Sequence, residues 1–287
     1  MMLLALAAAG CGSAAQNSGE LKVIAGENFW GSIAAQLGGN DVSVTSIVTN
    51  PSVDPHEYES SAADARAFAT ADYVILNGAG YDDWGQKLLA ANPSSTRHVL
   101  VIADMLHKKA GDNPHFWYNP AWVVEAAKRI SADYQAIRPA HAGLFTSRRD
   151  EFLLHTLAPY QEVIDQIRAS DRGMPVGSTE SIFVYMAQAL GLSLTSPPEF
   201  MEAISEGDDP PAQSVGTFQR LIEQRQIKVL IVNTQTVTPI TDNLKQLATR
   251  NGIPVVGISE TVEPPTLSFQ IWQVDQLTAL KEALRRP

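Results

Sequence analysis

The stretch LKVIAGENFWGSIAAQLGGNDVSVTSIV, residues 21–48, contains the unit from which the fold can be derived. Its apolar start, residues 21–28, predicts a buried strand, and residues 29–39 predict a helix that ends at glycine. Residues 42–48 are rich in β-branched side chains and predict a second strand. A helix between two such strands is the repeating unit of a parallel α/β sheet.

The same alternation continues in both halves of the chain, and these further strands are predicted at residues 73–78, 98–103, 174–179, 228–234 and 254–259. The middle, from Pro120 to about Ser170, has no strand signal. It predicts one helix up to residue 138 and, after Pro139, a helix of about 30 residues that Pro159 bends. We expect this long helix to join two α/β lobes, and a pair of surface helices on one domain is the alternative.

The length and charge of the chain narrow its class. With 287 residues, two domains are expected. The formal net charge is −10 and no Lys/Arg cluster is present, which argues against nucleic acid or an anionic membrane face as a partner. The predicted domains are a signal and polar tether (1–19), an N-terminal lobe (20–138), a linking helix (139–171) and a C-terminal lobe (172–287).

The single cysteine, Cys11, follows the short apolar run MLLALAAAG. This pattern resembles the end of a bacterial lipoprotein signal, in which the cysteine is lipidated and becomes the mature N-terminus. The run is too short to span a bilayer. We therefore expect an extracytoplasmic protein, either anchored to the cell membrane through Cys11 or periplasmic. No Lys or Arg precedes the run, and a frayed apolar N-terminus is the alternative.

Coordinating side chains follow four of the predicted strands. In open parallel sheets, ligands bind beyond the carboxyl ends of the strands. Two histidines lie in proline-stiffened loops, DPHEYE (54–59) and NPHFWY (113–118), and two glutamates come directly after strands of the second half. The four candidates for one site in the cleft between the lobes are His56, His115, Glu180 and Glu260.

Imidazole nitrogen and carboxylate oxygen suit Zn²⁺, Mn²⁺ or Fe²⁺. Each glutamate has a competing explanation, because carboxylates are also favourable at helix N-termini. Asn233 and Gln235, in NTQT, follow a strand and are candidates to approach the same site. Residues 202–209 predict a solvated acidic loop. The remaining histidines have no comparable context: His98, His107, His141 and His155. Trp117 and Tyr118 either wall the cleft or simply pack.

The motifs DPHEYE, NPHFWYNP, GSTESIFVYMAQALGL and SETVEPP resemble those of the metal-binding lipoproteins of bacterial ABC transporters, the cluster A-I solute-binding proteins for zinc and manganese. The resemblance covers roughly residues 20–285. It implies two Rossmann-like α/β lobes with parallel sheets joined by a long helix, with the metal between them. By motif, it also implies His56, His115, Glu180 and Glu260 as ligands. Many relatives have histidine where Glu180 stands, and the last ligand is commonly Asp rather than Glu260.

The leading interpretation is a monomeric carrier without catalysis. It binds one divalent transition metal ion, Zn²⁺ or Mn²⁺ ahead of Fe²⁺, and delivers it to the membrane permease of an ABC transporter. Four protein ligands would fill a tetrahedral shell. The alternatives are a zinc-dependent metallohydrolase, in which one glutamate acts as general base on a metal-bound water, and a binder of an organic solute. An adhesin-like surface role is compatible with metal capture.

Overall fold

The computed structural model of the chain describes residues 19–52 and 54–286. Cys11 and the predicted signal segment lie outside these residues, so the lipid anchor stays a prediction. The strands of the described part are β1 (Leu21–Glu27), β2 (Val42–Val48), β3 (Tyr73–Leu76), β4 (His98–Val101), β5 (Pro175–Ser178), β6 (Ser193–Leu194), β7 (Val229–Asn233) and β8 (Val255–Ile258).

Helices alternate with these strands and fill the middle of the chain. They are α1 (Asn28–Gly38), α2 (Ala62–Thr70), α3 (Asp83–Ala91), α4 (Ile102–Met105), α5 (Pro120–Ile137), α6 (Ala142–Glu151), α7 (Ala158–Asp171), α8 (Val184–Leu190), α9 (Pro198–Ser205), α10 (Ala212–Glu223), α11 (Pro239–Arg250) and α12 (Phe269–Leu284). Among the described residues, none of the helices combines the length and the apolar composition of a bilayer-spanning segment.

The strands form two parallel sheets of four, with the orders β2-β1-β3-β4 and β6-β5-β7-β8. This arrangement confirms the predicted α/β fold class. In each sheet the second strand along the chain lies on one side of the first, and the third and fourth lie on the other side. The topological switch point, where the strand order reverses, is therefore between β1 and β3 in one sheet and between β5 and β7 in the other. Ligands bind beyond the strand ends at such points.

The first βαβ unit shows why the local sequence adopts this fold. Strand β1 is buried on both faces, with Val23 and Ala25 fully inaccessible. Helix α1 turns Ile33 and Leu37 inward, one helical turn apart, while its exposed positions are polar or small. Burying each large aliphatic side chain contributes about 1.5–3 kcal/mol. One buried cluster joins apolar residues of both sheets with those of α7 and α12, so the two halves share a core.

The middle segment differs from the predicted bent helix. Helix α6 ends at Glu151, and a π-helical turn covers Phe152–Thr156, with the Leu157 N–H donating to the carbonyl of Phe152. Pro159 lies in the first turn of α7, where backbone N–H groups have no acceptor within the helix, so its missing N–H costs no hydrogen bond. Inside a continuous helix, the proline ring would clash with the carbonyl four residues earlier. The chain avoids that clash by widening the preceding turn.

The second half contains helices that the sequence analysis did not anticipate. Part of the acidic run 202–209 belongs to α9, where Ile204 and Ser205 are buried, so the prediction of a solvated loop is wrong for its first half. A few acidic residues outside the buried stripe of a helix are enough to hide its periodicity. The remaining residues of the run, from Glu206 onward, are exposed.

We expect Gly38→Ala to destabilise the fold. A Cβ at residue 38 would lie 2.9 Å from Val42 Cβ, and no rotamer change of Val42 moves its own Cβ away. Overpacking of this kind costs about 1–3 kcal/mol. The matched control is Gly143→Ala in α6, where a Cβ would meet nothing within 4 Å. There we expect a gain of up to about 1 kcal/mol in the free energy of unfolding. Urea denaturation of both variants measures the difference, and equal stabilities would contradict it.

Candidate metal centre

The four predicted residues lie beyond the carboxyl ends of strands from both sheets. His56 follows β2 in a short 3₁₀ turn, and its N–H donates to Asp54 Oδ1 at 3.0 Å. His115 follows β4 directly ahead of a second 3₁₀ turn. Glu180 and Glu260 each stand two residues after a strand of the second sheet, β5 and β8. Two loops of each half therefore supply the side chains.

These side chains converge. His56 Nε2 is 3.4 Å from Glu260 Oε2, and His115 Nε2 is 3.9 Å from the same oxygen. His115 Nε2 is also 3.7 Å from Glu180 Oε1. One nitrogen or oxygen atom from each of His56, His115 and Glu260 could bind a metal, and these three atoms all lie within 4.8 Å of one another. Glu180 stands at the edge of this trio, next to His115.

The spacing fits a single ion. Two ligand atoms about 2.1 Å from a tetrahedral ion are about 3.4 Å apart, which is close to the separations found here. Neither His56 Nε2 nor His115 Nε2 has a hydrogen-bond partner among the described residues, although both atoms are buried. Buried polar atoms normally have a partner. Two imidazole nitrogens that make no standard hydrogen bond and face carboxylate oxygens are the arrangement that a divalent cation would satisfy.

Asn113 orients the His115 ring. Its Oδ1 accepts the backbone N–H of His115 at 3.0 Å and lies 2.8 Å from His115 Nδ1. An oxygen acceptor at Nδ1 selects the tautomer with the proton there and leaves the Nε2 lone pair free for a metal. The Asn113 amide also donates to the carbonyl of Ser181 at 2.8 Å. This one side chain thus links the His115 loop to the residue after Glu180.

The two glutamates share a donor. Asn233 Nδ2 lies 2.7 Å from Glu260 Oε1 and 3.2 Å from Glu180 Oε2. Gln235 Oε1 accepts the backbone N–H of Glu260 at 2.8 Å, which fixes where that residue leaves β8. The two candidates from the NTQT stretch, Asn233 and Gln235, therefore both reach the site. Glu180 also accepts the N–H of Ile182 at 3.0 Å, so its predicted alternative role at a helix N-terminus is realised as well.

Tyr81 is a site residue that the sequence analysis missed. Its hydroxyl donates to Glu260 Oε2 at 2.6 Å. It stands in the loop after β3, so the rule that polar residues follow strand ends would have found it if hydroxyls had been included. Trp117, predicted either to wall the cleft or to pack, is fully buried and packs, with its ring edge-on to that of His115 and the two centroids 5.2 Å apart.

The charges of the site are strongly coupled. Burial disfavours the protonated form of His56, but the Glu260 carboxylate outweighs burial and raises the pKa of His56 to about 9. Burial tends to raise the pKa of Glu260, yet His56 and then His115 hold it well below its usual range. Burial lowers the pKa of His115, although Glu180 and Glu260 oppose this. Without metal, His56 is therefore cationic, His115 neutral and Glu260 anionic.

One side of the site faces solvent. The His56 side chain is 19% exposed, whereas those of His115, Glu180 and Glu260 are inaccessible. His56 and Tyr81 line a cavity of about 520 Å³ that is walled by both halves of the chain. An ion arriving through this cavity would meet His56 first.

The other histidines lie elsewhere. His141 Nδ1 pairs with Asp41 at 2.6 Å, and His98 is exposed at the start of β4. Neither these two nor His107 and His155 belong to any cluster of three or more metal-ligating side chains in the described residues.

The sequence of the chain is similar to those of proteins that take up or bind metal ions. The sequence model of the family described as "ZnuA: Zinc-uptake complex component A periplasmic" matches residues 23–283. The manganese-binding lipoprotein MntA of Halalkalibacterium halodurans is 27% identical over 200 residues, covering 67% of this chain and 66% of the relative. The manganese-binding lipoprotein MntA of Bacillus subtilis is 24% identical over 246 residues, covering 81% and 78%.

Solved structures share the fold. The Mn-bound periplasmic metal binding protein of Candidatus Liberibacter asiaticus superposes with a TM-score of 0.77 at 18% identity, covering 92% of this chain and 100% of that one. A mutant of the laminin-binding adhesin Lmb of Streptococcus agalactiae gives a TM-score of 0.76 at 19% identity, covering 93% and 100%. At these identities the likeness shows the fold alone.

We expect metal affinity to rise with pH. Since the pKa of His56 is about 9, an incoming ion must displace its proton, and that competition weakens as pH rises towards 9. Affinity should increase by up to about tenfold per pH unit between about pH 6 and 8.5. Competition against a chelator, corrected for the chelator's own protonation, measures this dependence.

The metal-free fold should show the opposite trend. Protonated His56 stabilises the metal-free fold fully below the ordinary histidine pKa of 6.5, and this contribution is lost as pH rises through about 9.

The affinity measurement has an outcome that contradicts this account. A metal affinity that does not change between about pH 6 and 8.5 would contradict the coupling of His56 to Glu260.

Proposed function

Because the chain belongs to the family of the zinc-uptake complex component A, it is a solute-binding protein for a divalent transition metal ion, and we propose that His56, His115, Glu180 and Glu260 hold that ion. The observation that carries the proposal is the convergence of two buried imidazole nitrogens, His56 Nε2 and His115 Nε2, on the single oxygen Glu260 Oε2. An organic solute would need several dispersed polar contacts over a roomy surface, whereas these atoms aim at one point.

Capture exchanges a proton for a metal ion. In the metal-free site, the charge of Glu260 is balanced by protonated His56. An ion entering from the His56 side displaces this proton, while neutral His115 already presents a lone pair, since Asn113 accepts at its other nitrogen. Two carboxylates then neutralise a dication, which offsets its loss of hydration. Little rearrangement of His115 is required.

Delivery to the membrane permease of an ABC transporter completes the proposed function. Each half of the chain supplies two of the four ligands, so a bound ion ties the halves together. The proposed bodies are residues 20–138 and 172–287, with residues 139–171 as the linking helix. Release then requires the separation of ligands from opposite halves, or protonation of His56. We propose a monomer outside the cytoplasmic membrane, anchored through lipidated Cys11.

A carrier role accounts for this donor set better than catalysis. A catalytic zinc keeps an open position for water, whereas four protein ligands fill a tetrahedral shell. The family is one of uptake proteins. We propose Zn²⁺ or Mn²⁺ as the cargo, ahead of Fe²⁺, because two imidazoles and two carboxylates are borderline and hard ligands. The family description names zinc, and the two MntA relatives are named for manganese.

We expect His115→Ala and Glu260→Gln to weaken binding of Zn²⁺ and Mn²⁺ by more than about 100-fold, beyond the 10–100-fold typical of outer-shell changes. The matched controls are His98→Ala and Glu162→Gln, both on exposed side chains. Elemental analysis of the native protein and competition between the two ions measure metal preference. Glu180→Gln tests the fourth ligand and should approach the effect of Glu260→Gln.

Thermal melts supply an independent readout. Metal at a thousandfold excess over its dissociation constant should stabilise the fold by about 4 kcal/mol. A melting temperature that stays unchanged with either ion, or site variants that bind as tightly as their controls, would refute the proposal.

A further inference from the structure

A second pair of acidic side chains lies buried behind the proposed metal site. Glu27 ends β1, at the switch point of the first sheet, and is 1% exposed. Asp82 follows the loop after β3 and is fully buried. Neither carboxyl oxygen of Glu27 receives a hydrogen bond from any donor in the described residues. An ionised carboxylate buried without donors is costly, so the pair requires an explanation.

The backbone determines which of the two acids is ionised. Asp82 Oδ2 accepts the N–H of Asn77 at 2.6 Å, and Asp82 Oδ1 accepts the N–H of Gly78 at 2.8 Å. Burial raises the pKa of Asp82 to about 6, and these two bonds oppose burial because they favour the anion, so Asp82 is ionised near neutral pH. Glu27 has no such bonds from the backbone of other residues, and its carboxyl group lies within hydrogen-bond reach of that of Asp82. A hydrogen bond between two carboxyl groups exists only when one carries the proton. Burial, and then the charge of Asp82, raise the pKa of Glu27 well above its usual range. Glu27 is therefore the protonated partner and donates to Asp82.

The loop held by Asp82 reaches both halves of the metal site. Asn77 Nδ2 donates to the carbonyl of Pro114 at 2.9 Å, immediately before His115. At the other end of the loop, the N–H of Tyr81 donates to the carbonyl of Gly78 at 3.2 Å, and the Tyr81 hydroxyl donates to Glu260. Gly78 has a φ of +80°, a left-handed conformation that favours glycine. Its N–H is one of the two groups that Asp82 holds.

We propose that Glu27 is a positioning residue for metal binding: as a neutral carboxylic acid it donates to Asp82, and through Asp82 it fixes the 77–81 loop that sets His115 and Glu260. This inference rests on the proposed function. A neutral Glu27 also adds no further negative charge to an interior that already contains Glu260. The competing interpretation is an ionised Glu27 that takes part in binding a second cation.

The first test compares two replacements of similar size. Glu27→Leu removes the donor to Asp82, and we expect affinity for Zn²⁺ or Mn²⁺ to fall by about 10–100-fold, as for outer-shell partners. Glu27→Gln keeps a donor in the same place and should recover most of that loss. Elemental analysis should give the same number of bound ions in Glu27→Gln as in the wild type. A lower number would favour the second cation and overturn the inference.

A double-mutant cycle tests whether Glu27 acts through the loop. If it does, the effect of Glu27→Leu on affinity should shrink several-fold in the Tyr81→Phe background, because the link from the loop to Glu260 is already absent. A purely structural role of Glu27 would give the same fold-change in both backgrounds, and that result would overturn the inference.

Infrared spectroscopy tests the proton directly, without metal. Near neutral pH the wild type should show the C=O stretch of a protonated carboxylic acid, and Glu27→Gln should lose that band. A spectrum without the band, or a band that survives in Glu27→Gln, would overturn the inference even if Glu27→Leu does not fold.

Metal binding separates failure of this inference from failure of the proposed function. If the wild type binds neither ion, the proposed function fails. If it binds and Glu27→Leu binds equally well, the role of Glu27 alone fails.

Discussion

Two fully buried carboxylates, Glu180 and Glu260, impose the constraint on which the rest of the structure depends. A carboxylate removed from water is costly unless a cation or several donors face it. Here the compensation comes from the Asn233 amide, the Tyr81 hydroxyl and the protonated ring of His56. The proposed capture exchanges the proton of His56 for the metal ion. In the metal-free site, the proton on His56 therefore supplies a positive charge that a metal ion can replace.

The parallel topology makes this convergence possible. All strands of a sheet point the same way, so their carboxyl ends lie along one edge, and the switch point opens a crevice there. Each sheet places an asparagine at this edge. Asn77 directly follows β3 and Asn233 ends β7, and each of these strands is third along the chain in its sheet. Asn77 braces the segment before His115, and Asn233 braces both glutamates. Side chains distant in sequence meet because the backbone delivers them to one edge.

The halves are joined by more than the proposed ligands. Asn28 exchanges two hydrogen bonds with the backbone of Val262, at 3.1 and 2.9 Å, and the Tyr118 hydroxyl donates to the carbonyl of Ser259 at 2.8 Å. Both contacts lie close to Glu260 in sequence. Any separation of the halves must break them, so the positions of the four proposed ligands depend on contact between the halves. Metal capture, loop geometry and contact between the halves are thus parts of one polar network, and such networks are worth more when every member is satisfied.

The sequence by itself determined the alternating elements and the parallel sheets, because hydrophobic periodicity and glycine-terminated helices are local properties of the chain. It also singled out His56, His115, Glu180 and Glu260, since ligand-type side chains after strands can be recognised one strand at a time. Only the tertiary structure decided the partners of those side chains and the location of the protons. Tyr81 follows a strand and Asn113 belongs to a quoted motif, but their hydrogen-bond partners, like the pairing of Glu27 with Asp82, cannot be derived from any local pattern. Whether a carboxyl group is charged depends on its burial and on neighbours from other strands, and these exist only once the chain has folded.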